Sequence, residues 1–367
     1  MRLVATHLMT LPALLALGLA AACGDDLAGA PDGGGGGDTD TDAGPPLDVP
    51  EREWAWLPVE GNRCMDGSGT GIGVNVDFSS RELMIFLEGG GACFNGLSCS
   101  GVAHQDGFGA ADLDAFVASG AGGILDRDDP ANPVAGWSYV FVPYCTGDIH
   151  AGDTEDGVGG RDQVGYRNVR NAATLIAERL AGRLDRVLLI GQSAGGFGAG
   201  YNYDQVAAIF GDVPVDLIDD SGPPLSNTYL TPCLQEQLRT VWNLEATLPE
   251  DCADCIDEEG GGFANLLPFV AAKYPERRFG LVSSTEDATI RQFIGFGYPS
   301  CDNPTVPMPA GPFSDGIAEL REDILGPIEN ASMFVLEGDG HVWTNKPLGE
   351  VEAGDQTLAA WVESILF

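Results

Sequence analysis

The run Val187-Leu188-Leu189-Ile190-Gly191-Gln192-Ser193-Ala194-Gly195-Gly196 constrains the fold of this chain more than any other. A short apolar stretch with the length of a buried strand leads directly into Gly-x-Ser-x-Gly, and a helix-compatible segment, 197–210, follows. A serine on so sharp a strand-to-helix turn has its hydroxyl pushed into a cleft. Glycines flank it because the turn leaves no room for a neighbouring β-carbon. With 52 glycines in 367 residues the five-residue pattern alone is a weak signal. Its weight comes from the strand before it and the helix after it. The layout predicts a serine hydrolase, and therefore a base, an acid and an oxyanion hole elsewhere in the chain.

Apolar runs at 83–88, 138–143, 186–190, 215–219, 279–283 and 332–337 predict strands. Helices are expected at 166–181, 197–210, 264–273, 287–296 and 355–366; in the first, Val169, Ala172, Ala173, Ile176 and Leu180 share one face. Alternation of strand and helix predicts an α/β chain of the α/β-hydrolase type, a mainly parallel sheet with helices on both faces. Ligands of such sheets bind at the carboxyl ends of the strands, where the motifs fall. The stretch 223–262 carries three cysteines and little periodicity, and is expected to form a disulfide-pinned cap or insertion.

Residues 1–22 have the form of a secretory signal: Arg2, an apolar run from Leu8 to Leu19, then Ala20-Ala21-Ala22. The run is too short for a stable membrane span. Leu19-Ala20-Ala21-Ala22-Cys23 is a loose match to the bacterial lipobox, and 23–50 is a Gly/Asp-rich tract that suits a tether. The expectation is an exported protein, anchored at a bacterial cell surface through lipid on Cys23, with simple secretion as the alternative. The catalytic domain is expected at 51–367. Setting Cys23 aside leaves eight cysteines, an even number that favours disulfides in an oxidising compartment. Cys252-Ala-Asp-Cys255 lacks the further ligands a zinc site needs, so no metal is expected there. A formal charge of −37 argues against nucleic acid or an anionic membrane surface as partner. Membrane contact is expected only through the anchor. The acidic run Asp148 to Asp162 suits a solvated loop, with calcium binding as the alternative.

A serine hydroxyl needs a base, and histidine suits that role near neutral pH. Of four histidines, His341 lies in a loop after the last expected strand and before the terminal helix, the place of an α/β-hydrolase base. His104 and His150 precede the serine and are expected to be structural or substrate-facing. Asp287, just past the strand at 279–283, fits the acid that orients the base, though it also fits a helix N-cap. Asp219 and Asp220, also after a strand, are rival acids. The glycine-rich loop Glu88-Gly89-Gly90-Gly91-Ala92 follows an early strand and fits an oxyanion loop. Its donors would be the Gly90 or Gly91 amide together with that of Ala194.

Four blocks in this order carry a resemblance: Phe86-Leu87-Glu88-Gly89-Gly90-Gly91-Ala92-Cys93-Phe94, Pro143-Tyr144-Cys145-Thr146-Gly147-Asp148, Gly191-Gln192-Ser193-Ala194-Gly195-Gly196, and the late His341. From about Arg63 to Phe367 the chain resembles the pectin acetylesterase/Notum family of secreted carboxylesterases. The resemblance implies an α/β-hydrolase fold, removal of short acyl groups, and no cofactor. It maps Ser193 as nucleophile, Asp287 as acid, His341 as base, and Gly90, Gly91 and Ala194 as oxyanion donors. Departures fall at the pocket. Gln192 stands where plant-type members carry cysteine, and the triglycine replaces the bulky aromatic of Notum. The expected function is a serine carboxylesterase acting on an acylated small molecule or polysaccharide, above all deacetylating extracellular carbohydrate polymers. A polyester depolymerase or lipase, and a non-catalytic glycan-binding protein, are the alternatives.

Overall fold

The computed structural model describes residues 47–180 and 182–367. The expected signal, Cys23 and most of the expected tether lie outside these residues. Leu47 and Val49, at the tether's end, pack on the hydrophobic core. Among the described residues no helix is long and apolar enough to cross a membrane.

In chain order the main elements are β1 (Ala55–Arg63), β2 (Gly69–Asn75), β3 (Glu82–Leu87), α1 (Ala110–Ala118), β4 (Ser138–Val142), α2 (Gly165–Leu180), β5 (Arg186–Gln192), α3 (Ala194–Phe210) and β6 (Val215–Asp220). Then come α4 (Pro232–Trp242), α5 (Leu266–Lys273), β7 (Phe279–Ser284), α6 (Ala288–Ile294), α7 (Ala310–Glu319), β8 (Ala331–Leu336), the short hairpin β9 (Glu352–Ala353) and β10 (Gln356–Thr357), and α8 (Leu358–Leu366). The eight-stranded sheet runs β1-β2-β4-β3-β5-β6-β7-β8. Its strands from β4 to β8 are parallel, and β1 and β2 form an antiparallel margin.

Side chains alternate across the sheet. Leu83, Ile85 and Leu87 enter one core with α2, α3 and α5; Met84 and Phe86 enter a second with α1 and α8. Both faces are therefore covered, which is why the central strands are largely apolar. The α2 stripe is buried at each residue expected, Val169, Ala172, Ala173, Ile176 and Leu180.

Several expectations differ from the structure, among them the absence of α1 and α7 from the expected helices. The β1–β2 hairpin was not foreseen, since Gly69, Gly71 and Gly73 dilute the alternation of β2; at Gly71 a β-carbon would sit 2.1 Å from the Leu57 carbonyl oxygen. The segment 223–262 is also more regular than expected, because it contains α4. Pro232 opens that helix, and Leu234, Leu238 and Trp242 bury one face at four-residue spacing. All eight described cysteines are paired: Cys64–Cys145, Cys93–Cys99, Cys233–Cys301 and Cys252–Cys255. The third ties α4 to the loop after α6, which pins the cap.

Candidate active site

Ser193 stands between β5 and α3 with φ 56° and ψ −118°, a conformation disfavoured for any residue with a β-carbon. The turn is held from both sides. The Ser193 amide donates to the Asp220 carbonyl at 2.7 Å. A β-carbon on Gly191 would lie 1.9 Å from the Gly195 carbonyl oxygen, and one on Gly195 would lie 2.0 Å from that of Leu87. The spacing of the glycines is thus the steric footprint of the turn. The helix starts at Ala194, three residues before the expected position, so its amino end is directly beside the serine.

His341 and Asp287 are brought together from β8 and β7. The His341 Nδ1 lies 2.7 Å from Asp287 Oδ2. The other Asp287 oxygen accepts the Thr289 and Ile290 amides at 2.9 Å each. One fully buried carboxylate therefore caps α6 and also contacts the imidazole, so the geometry is compatible with both readings of Asp287. The rival acids serve elsewhere. Asp219 accepts the Gly222 amide at 2.8 Å. Asp220 accepts the Trp343 amide at 2.8 Å and the Thr344 amide at 2.7 Å, and so fastens the loop that carries His341.

The glycine loop after β3 passes against the serine: a β-carbon on Gly89 would meet the Gln192 carbonyl oxygen at 2.4 Å and Ser193 Cβ at 2.9 Å. Gly91 has φ +89°, which glycine adopts without strain. The Gly90 carbonyl accepts the Ala103 amide at 2.9 Å, so across the planar peptide the Gly91 N–H points the opposite way. The Gly91 carbonyl accepts the Tyr144 hydroxyl at 2.8 Å.

His104 and His150 both contact this loop through Glu88. His150 Nε2 lies 2.8 Å from the Glu88 carbonyl oxygen, which can only accept, so Nε2 carries the proton. Burial pushes the His150 imidazole down to about 4, against a smaller upward effect of that bond. The Glu88 carboxylate accepts the Tyr144 amide at 2.9 Å and faces His104 Nε2 at 3.2 Å. Glu88 was not singled out in the sequence. The available signal was a charged residue at the inner end of an apolar strand, beside the triglycine.

Two cavities meet at Ser193. One, about 620 Å³ with its open mouth included, is apolar, with Phe94, Phe197, Leu230, Leu234, Leu238 and Phe293 on its walls beside Gly91 and Ala194. The other, about 1110 Å³ with its mouth included, is more polar and is lined by Glu88, Gly90, Gly91, Gln192, His341 and Asn345. Ser193 lines both. Among the described residues no cluster of His, Cys, Asp and Glu is arranged to hold a metal ion. In the acidic run, Asp153, Glu155 and Asp162 face Arg63 and Arg167 instead.

The pectinacetylesterase family model matches residues 57–275. The palmitoleoyl-protein carboxylesterase notum2 of Xenopus laevis is 28% identical over 210 residues, covering 52% of this chain and 42% of that protein. The palmitoleoyl-protein carboxylesterase NOTUM of Drosophila melanogaster is 30% identical over 218 residues, covering 52% of this chain and 31% of that protein. The chain thus spans well under half the length of these relatives. A solved structure of the Wnt deacylase Notum from Drosophila superposes with a TM-score of 0.64 at 18% identity, covering 86% of this chain and 93% of that one, which shows a shared α/β-hydrolase fold. On the family match across more than half its length, this chain belongs to the pectinacetylesterase family.

Proposed function

We propose that this chain is a serine carboxylesterase with Ser193 as nucleophile, His341 as base and Asp287 as the acid that orients it. The observation that carries the reading is the 2.7 Å His341–Asp287 contact in a cavity whose wall also holds a strained Ser193. In this reading the Asp287 carboxylate keeps the His341 proton on Nδ1, leaving Nε2 free to take the proton of Ser193 Oγ. The hydroxyl oxygen adds to the ester carbonyl. The amides of Gly90, Gly91 and Ala194 receive the oxyanion, aided by the amino end of α3. Collapse returns the proton from His341 to the departing alcohol, and water then releases the acid by the same steps. The chemistry needs no cofactor.

The apolar cavity is the acyl site in this reading, and its walls favour chains longer than acetyl. Each methylene it buries raises kcat/KM about 4-fold. The relatives' names describe removal of a palmitoleoyl group, a long acyl chain, which supports the same preference. The wider cavity, the more polar of the two, then holds the alcohol, which in this reading is a hydroxyl of an extracellular carbohydrate polymer. Four disulfides support export, and Cys23 after its signal-like segment is the proposed lipid anchor.

The test is hydrolysis of p-nitrophenyl esters from acetate upward by the protein without residues 1–46 and by its Ser193→Ala form. Turnover that rises with chain length and vanishes with the substitution supports the reading. A preference for acetate would restore a deacetylase. No turnover on any ester would leave a glycan-binding protein on a hydrolase fold.

A further inference from the structure

We infer that Tyr201, with Phe263, is the wall that sets the longest acyl chain the site accepts, and that a second apolar chamber lies behind it. The inference rests on the esterase reading above and adds the residue that limits its substrate. The acyl cavity and a much smaller void share Phe197, Tyr201 and Phe263 on their walls. Leu217, Leu266 and Leu267 line only the inner chamber. Phe197 and Tyr201 stand one turn apart on α3, so a chain leaving Ser193 along the helix meets them in that order. The Tyr201 and Phe263 rings meet edge to face with centroids 5.6 Å apart, which closes the passage.

Tyr201 differs from an ordinary core tyrosine. It is 5% exposed, yet its hydroxyl has no hydrogen-bond partner among the described residues. Buried phenols are normally tied down, as the Tyr203 hydroxyl is to the Val215 carbonyl at 2.7 Å. Packing alone positions the Tyr201 ring, so replacing it removes wall without breaking a polar link. The chamber behind holds one carboxyl, that of Asp219, which burial pushes well above the usual carboxylate range. That direction favours its uncharged form, in keeping with a space that takes hydrocarbon.

The experiment measures kcat/KM for p-nitrophenyl esters of increasing chain length with wild type, Tyr201→Phe, Tyr201→Leu and Tyr201→Ala, each checked for folding by circular dichroism and thermal melting. The readout is the ratio of rates on long and short esters. Tyr201→Phe keeps the ring and should keep the ratio. Tyr201→Ala should join the chambers and move the optimum to longer chains, about 4-fold per methylene accepted and so about 16-fold across a two-carbon step. Tyr201→Leu should move it in the same direction by less, and carries the test if the alanine form does not fold. Folded variants whose chain-length profiles superimpose on wild type overturn the inference while leaving the esterase reading intact. Absence of turnover by wild type overturns both.

Discussion

Replacing Asp287 with asparagine separates the two roles of that carboxylate. Its Oδ1 accepts two backbone amides at the start of α6 and its Oδ2 faces His341 Nδ1 at 2.7 Å. In Asp287→Asn the amide oxygen must stay with the two backbone donors, since an NH2 group there would face N–H against N–H. The NH2 is therefore turned toward His341 and donates to Nδ1. That keeps the contact but forces the imidazole proton onto Nε2, the wrong tautomer for accepting a proton from Ser193. A carboxamide in this position of a serine triad lowers kcat about 10⁴-fold, or about 5 kcal/mol of transition-state stabilisation. Asparagine caps helices about as well as aspartate, so the fold should lose less than about 1 kcal/mol. Asp287→Ala loses the cap as well, another ~1 kcal/mol of stability. The assay is kcat on one chromogenic ester alongside thermal melting for wild type and both variants. An asparagine form within 10-fold of wild type would refute the assigned role. So would a loss of activity that merely tracks loss of folded protein.

Three further predictions follow from the geometry. Gly195→Ala should cost about 3 kcal/mol or more and displace the glycine loop, because the new β-carbon lies 2.0 Å from a backbone oxygen. Gly200→Ala, in the interior of α3 with nothing within 4 Å, should gain ~0.5–1 kcal/mol by the same melting assay. The third concerns pH. His150, held at about 4 against an ordinary 6.5, binds its proton more readily in the unfolded chain, so stability falls by about 3 kcal/mol as pH drops from 6.5 to 4. Asp148, raised by burial to about 6 from 3.8, acts oppositely: the native chain takes up the proton first, returning about 3 kcal/mol as pH drops from 6 to 3.8. The two nearly cancel, so Asp148→Asn should make the melting temperature fall more steeply than wild type between pH 6.5 and 4; parallel slopes would contradict this.

The parallel core of the sheet was legible because most of its strands are short, largely apolar runs, though Asp216 interrupts β6 and β8 is only partly buried. The positions of Ser193 and His341 beyond the ends of β5 and β8 were legible for a related reason, since each follows an apolar run. Asp287 was harder: a helix cap and a partner for His341 need the same residue at the same place, and only the structure shows one carboxylate making both contacts. The β1–β2 margin was hidden by its glycines, which pack backbone against backbone and leave no alternating pattern. The α4 stripe of Leu234, Leu238 and Trp242 was present in the sequence, but the surrounding cysteines and loops masked it. The apolar cavity was not legible at all, because its walls come from the glycine loop, α3, α4 and α6, which only the tertiary fold brings together. In the proposed reading that cavity favours acyl chains longer than acetyl.

In the proposed function Ser193 is a nucleophile activated by His341. The most direct test is reaction of the native protein with a fluorophosphonate, followed by mass spectrometry of the peptides. A single covalent adduct on Ser193 is expected, abolished by Ser193→Ala and slowed at least 10³-fold by His341→Ala. An unlabelled Ser193 in folded protein, or labelling that survives loss of His341 undiminished, would contradict it.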